Sequence, residues 1–68
     1  MPKYYCIMRP PAPGAIPRGV QAAHQFDERR YVPEIDRMAW GWVMYNEELT
    51  PDEIDDYELI REPREDEV

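Results

Sequence analysis

Residues 38–45, Met-Ala-Trp-Gly-Trp-Val-Met-Tyr, leave few choices for the rest of the chain. Read at the two-residue period of a strand, Met38, Trp40, Trp42 and Met44 share one face, and Ala39, Gly41, Val43 and Tyr45 the other. Neither face is polar. The segment therefore reads as a central strand buried on both sides, with its bulky tryptophan face at the heart of the core. Gly41 marks a point where a neighbour, such as an aromatic ring, must lie close across the strand. A competing reading makes the two tryptophans an exposed binding platform. The core reading is preferred because no other segment could build a core without them.

The remaining elements are arranged around this strand. Residues 3–8 are rich in Tyr and Ile and read as a strand. Residues 9–19 hold four of the eight prolines and two of the three glycines. Proline fixes φ and cannot donate to a ladder, so this is a stiff, ordered connection rather than an element. Its P-x-x-P spacing at Pro10 and Pro13 also fits a proline-motif ligand, but the basic residues do not stand where such ligands need them. Residues 20–26 alternate as a strand with Val20, Ala22, His24 and Phe26 on one face. Asp27-Glu28-Arg29-Arg30 reads as a polar turn, and residues 31–35 as an edge strand limited by Pro33. Asp36-Arg37 makes a tight reversal into the central strand.

The clearest local signal is Thr50-Pro51-Asp52-Glu53, an N-cap, a proline at the first helical position and a glutamate placed to close a capping box. It predicts one short helix over residues 51–58, before Leu59-Ile60 returns to a strand. The inward positions are Ile54 and Tyr57. The expected fold is α+β, a small, mostly antiparallel sheet of four to five short strands with one short helix. Residues 1–60 form a single domain with an ordered proline-rich loop at 9–19, and residues 61–68 a flexible acidic tail.

A chain of 68 residues has room for one modest core. Cys6 is the only cysteine, so no disulfide within the chain can support it; Cys6 and His24 are too few for a structural zinc site. Two tryptophans, five tyrosines, one phenylalanine and four methionines supply the apolar surface instead, each buried aromatic removing roughly 150–250 Å² from water. A homodimer is the remaining route to added stability. No cofactor is expected. A lone thiol fits a reducing compartment, the cytosol of whatever host expresses the gene, and no targeting or membrane-spanning run is legible.

Charge is segregated along the chain. Residues 1–37 carry a net +2 and residues 38–68 a net −9, for −7 in total. Direct nucleic-acid binding needs a positive footprint, so a nucleic-acid ligand is not expected, whereas a basic protein partner is. Catalysis is not expected either. The chain has no serine, and a Cys6–His24 pair would lack the helix N-terminus or oxyanion-hole glycines that such nucleophiles use. Glu47, Glu48, Asp52, Glu53, Asp55, Asp56 and Glu58 place seven carboxylates within twelve residues. They read as a solubilising face, as a surface for a basic partner, or as a calcium or magnesium site; the spacing does not match an EF-hand loop. The outward carboxylates Glu48, Asp52, Asp55 and Asp56 are the candidate partner-binding residues.

Tyr4-Tyr5-Cys6, Arg9-Pro10-Pro11-Ala12-Pro13-Gly14-Ala15-Ile16-Pro17, Tyr31-Val32-Pro33-Glu34, Ala39-Trp40-Gly41-Trp42-Val43 and Tyr57-Glu58-Leu59 carry a further indication. This pattern, spread over most of residues 4–60, resembles a group of small proteins encoded by phages and conjugative elements of Gram-positive gut bacteria. The resemblance implies an inhibitor of a host defence protein that handles nucleic acid, such as a nuclease or a CRISPR effector, working by binding or by DNA mimicry. The alternative is a structural or accessory homodimeric module whose acidity serves only solubility.

Overall fold

The computed structural model describes residues 1–63. It contains strands β1 (Lys3–Cys6), β2 (Val20–Val32) and β3 (Arg37–Tyr45), helix α1 (Pro51–Asp56) and strand β4 (Leu59–Arg61). The strands form one four-stranded antiparallel sheet in the order β2-β3-β1-β4. This is a small α+β fold.

The N-terminal strand is inserted between β3 and β4, with Tyr5 opposite Trp42 on one side and Ile60 on the other. Just outside the strands, Tyr45 N–H donates to the Pro2 carbonyl (3.0 Å) and Glu62 N–H to the Lys3 carbonyl (2.8 Å). Pairing thus includes Arg61 and reaches Glu62, past residue 60. The flexible tail expected from residue 61 onward falls mainly on residues 64–68, which lie outside the described residues.

β2 is longer than its sequence suggested. Gln25 pairs with Gly41 and Arg30 with Ala39, so four residues of β2 (26–29) stand opposite Trp40 alone. The expected polar turn at 27–30 therefore falls in an extended bulge at 26–29 and the first pair beyond it, all within one strand rather than between two. Tyr31 and Val32 pair with Met38 and Arg37, and Pro33–Asp36 forms the reversal. Asp36 takes a left-handed φ of 53°, which Asp tolerates better than most residues. The expected edge strand at 31–35 is thus two residues of β2 followed by the turn.

The central strand alternates as expected, but its sides are reversed. Ala39, Gly41, Val43 and Tyr45 are buried, whereas Trp40, Trp42 and Met44 are half-buried and Met38 is exposed. The cause lies in what covers the sheet. Small residues let other layers come close, and α1 and the proline-rich loop lie over the side of Gly41, Val43 and Tyr45, whereas Ala39 is buried in the cluster on the opposite face. Tyr4, Cys6, Val43, Tyr45 and Leu59 form the main cluster on the helix-covered side, closed by Ile16, Leu49, Ile54 and Tyr57. Gly41 does meet a close neighbour, though not an aromatic one. A Cβ built there would collide with the His24 carbonyl and lie 2.9 Å from the Pro11 ring carbons.

Buried phenols tie the layers together. Tyr45 O–H donates to the Pro17 carbonyl (2.7 Å), and Tyr4 O–H accepts from Leu49 N–H (2.8 Å). These bonds satisfy polar groups that would be costly to bury alone. β1 ends at Cys6, short of the expected residue 8, where the chain bends towards the prolines that cross Gly41.

Candidate functional site

α1 begins as the sequence predicts. Thr50 Oγ1 accepts from Glu53 N–H (3.2 Å) while Glu53 Oε1 accepts from Thr50 N–H (3.0 Å), and Pro51 occupies the first turn. The helix stops at Asp56, two residues before the expected end, with Glu58 in the left-handed region at φ 53°. That reversal starts β4 and turns Leu59 into the main cluster.

The four candidate carboxylates divide into two groups. Asp52, Asp55 and Asp56 are exposed on α1, and none of their side chains is engaged by a hydrogen bond or ion pair among the described residues. Glu48 is held differently. Its Oε1 accepts from Arg61 Nε (2.6 Å) and its Oε2 from Arg61 Nη2 (2.7 Å), a two-pronged pairing that ties the loop before α1 to β4. Two neighbouring acids are also in use, Glu53 in the capping box and Glu58 with Arg9 (2.8 Å). Of the four candidates, the unengaged ones are thus three aspartates within five residues of one six-residue helix.

Sequence reasoning missed the composition of the opposite sheet face. Tyr5, Phe26, Val32 and Ala39 form a second cluster, packed by Ile7, Ile35 and Trp42. His24 lies 5.6 Å from the Phe26 ring and 5.8 Å from the Trp42 ring. Lys3 Nζ sits over Trp42 (4.9 Å) and Tyr5 (5.1 Å), and the Arg30 guanidinium over Phe26 (4.9 Å). Tyr5 O–H lies 3.2 Å from Glu34 and 3.0 Å from Glu62; burial, then the Glu62 bond and charge, push its phenol well above the ordinary range. The shared face of His24 and Phe26 was legible from alternation. Nothing local announced the cations, because they arrive from β1 and from beyond the bulge.

Cys6 and His24 do not meet. Cys6 stands beside Gly41 on the helix-covered side, and His24 beside Trp42 on the other, with β3 between their strands. Burial raises the Cys6 thiol to about 11. Among the described residues no three His, Cys, Asp or Glu side chains gather as a metal-binding group, and no helix is long and apolar enough to cross a membrane.

Residues 1–64 match the protein family described as Defence against restriction A C-terminal. No curated protein and no solved structure shows significant similarity to the chain.

Proposed function

Since the chain belongs to the Defence against restriction A C-terminal family, we propose that it is a non-enzymatic, protein-binding module of a phage or mobile element that blunts host restriction. In this reading it acts in the host cytoplasm on a basic, nucleic-acid-handling defence protein. The family match carries the reading, because it spans all of the described residues and its subject is resistance to restriction. It makes a restriction nuclease the first partner to test, ahead of a CRISPR effector.

The surface assigned to that partner is the face formed by Asp52, Asp55 and Asp56. Proteins that hold DNA present a positive groove to its phosphates, and a compact array of unengaged carboxylates competes for the same groove. Carboxylates of this kind mainly raise the rate of encounter and make it salt-dependent. Glu48 has a lesser part here, because its charge is offset by Arg61.

The test uses the protein in a restricting host. Phage plating efficiency is compared with the parent and with the Asp52→Asn, Asp55→Asn, Asp56→Asn triple variant. Association with the purified restriction enzyme is then followed at low and high salt. Protection and fast association lost together in the triple variant support the reading. Full protection by that variant, with unchanged low-salt association, shows that the acidity serves only solubility.

A further inference from the structure

We propose that the cleft between α1 and the end of the sheet seats an apolar side chain of the partner protein, one that stands next to a basic residue held by Asp55. The inference rests on the acidic-face reading and specifies what that face recognises beyond charge.

The cleft opens where β1 finishes and β3 and β4 begin, and its volume is about 650 Å³. Clefts that take drug-sized ligands span roughly 300–1,000 Å³, so one or two large side chains fit. Its walls are apolar. Ile7 and Met8 come from the chain just past β1, Ile60 from β4 and Ile54 from α1. The three isoleucines are half-buried, whereas Met8 is 59% exposed. An unbranched thioether adapts to irregular surfaces, and methionine is enriched where proteins meet.

Charge decides what belongs there. Three of the lining residues are ionised: Asp55, Glu58 and Arg37. Glu58 is already matched by Arg9 at 2.8 Å. Asp55 is exposed and unengaged among the described residues, with Asp52 and Asp56 on the same short helix. The α1 wall is therefore the acceptor for a cation. Arg37, the first residue of β3, lines the cleft as well and repels a second base. A basic residue thus enters on the α1 side, and its apolar neighbour fills the floor.

An apolar seat also supplies what carboxylates alone lack. Exposed ion pairs add little to lasting attachment, because water and salt screen both partners. A side chain that fills the cleft takes apolar surface out of water and excludes water beside Asp55, the arrangement of an anchor ringed by polar contacts. The aspartates then set how fast the partner arrives, and the cleft how long it stays.

Met8→Gln tests this at an exposed position outside both buried clusters, keeping the side-chain length while making it polar. Bound to the purified restriction enzyme, this variant should dissociate about fivefold faster or more, with an association rate within about twofold of the parent. Met8→Leu should dissociate like the parent. If Met8→Gln dissociates at the parent rate while the triple aspartate variant associates slowly, the cleft is refuted and the acidic face stands. If Met8→Leu is as fast as Met8→Gln, the seat is not apolar and the proposal is overturned. Unchanged association of the triple variant removes the basic half of the motif and overturns it too. A parent that does not associate with the enzyme refutes the proposed function instead, and short peptides then decide the cleft by nuclear magnetic resonance. At millimolar concentration N-acetyl-leucyl-arginine amide should shift the Met8 and Ile60 methyl signals, more than either N-acetyl-glycyl-arginine amide or N-acetyl-leucyl-glutamate amide does. Equal shifts from all three peptides, or none from any, overturn the inference.

Discussion

Gly41→Ala offers the most direct test of how the layers of this fold are fitted together. Gly41 is in an extended strand with no positive φ, so its backbone conformation does not require glycine. Space does. The added methyl would overlap the His24 main-chain carbonyl and stand 2.9 Å from Pro11 Cδ and Cγ. Overpacking typically costs about 1–3 kcal/mol. A main-chain oxygen can yield only if β2 moves, which puts this site near about 3 kcal/mol before any offset. Replacing a strand glycine returns about 0.5–1 kcal/mol through the unfolded chain, leaving a net loss of about 2–2.5 kcal/mol. A domain of this length holds roughly 3–10 kcal/mol in all. The melting temperature should therefore fall by about 8–20 °C, at about 4–8 °C per kcal/mol for a small domain. Urea and thermal unfolding followed by tryptophan fluorescence measure both quantities. Adding Pro11→Ala to the variant should recover less than half of the loss, because it frees the ring and leaves the carbonyl in place. A Gly41→Ala midpoint within about 0.5 kcal/mol of the parent, the scatter of an ordinary surface change, would refute the packing described for this position.

Three further outcomes follow from bonds and burial described above. Tyr45→Phe removes the donor to the Pro17 carbonyl; it should cost about 1–2 kcal/mol in urea and make Arg18 more sensitive to trypsin, whereas an unchanged cleavage rate means the bond does not hold the loop. Thr50→Ala removes the hydroxyl that accepts from Glu53 N–H and leaves the main-chain N–H of residue 50 to Glu53; it should cost about 1 kcal/mol, measured as a lower urea midpoint without a change in slope. Burial raises the Cys6 thiol from 9.0 to about 11 and the Tyr45 phenol from 10.0 to about 12. The folded state therefore holds these protons longer than the unfolded chain, so stability is intact below pH 9 and declines as pH rises from about 9 towards 12. Urea midpoints at pH 8 and pH 10.5 should differ in that direction, and Cys6→Ala should remove the earlier part of the decline.

The helix start was legible because capping is local: Thr50, Pro51 and Glu53 meet within four residues, and no distant contact can alter their fit. The central strand was legible from alternation. Which of its faces becomes the inside was not, since parity separates Trp40 and Trp42 from Gly41 and Val43 without saying where a helix and a loop from elsewhere will settle. Side-chain size pointed to the tryptophans; close approach of Pro11 selected the glycine side instead. The bulge at residues 26–29 was hidden for a similar reason. A polar stretch reads alike whether the chain turns back or rejoins the same neighbour, and only the pairing of Arg30 with Ala39 separates the two. Among the candidate carboxylates, helical spacing was enough to group Asp52, Asp55 and Asp56. The partnership of Glu48 with Arg61 joins residues thirteen apart through the sheet and had no local signature.

The position of β1 between β3 and β4 also sets an order of events during synthesis. The β2–β3 hairpin joins neighbouring segments and closes through a four-residue reversal, so it can form as soon as Tyr45 has left the ribosome. β1 emerges first but has no finished site to enter. One of its neighbours lies about forty residues downstream and the other more than fifty, and bringing such distant segments together is the slow step in small domains. The first strand made is thus among the last to be secured, and until β4 arrives its outer edge remains open to any other strand in reach.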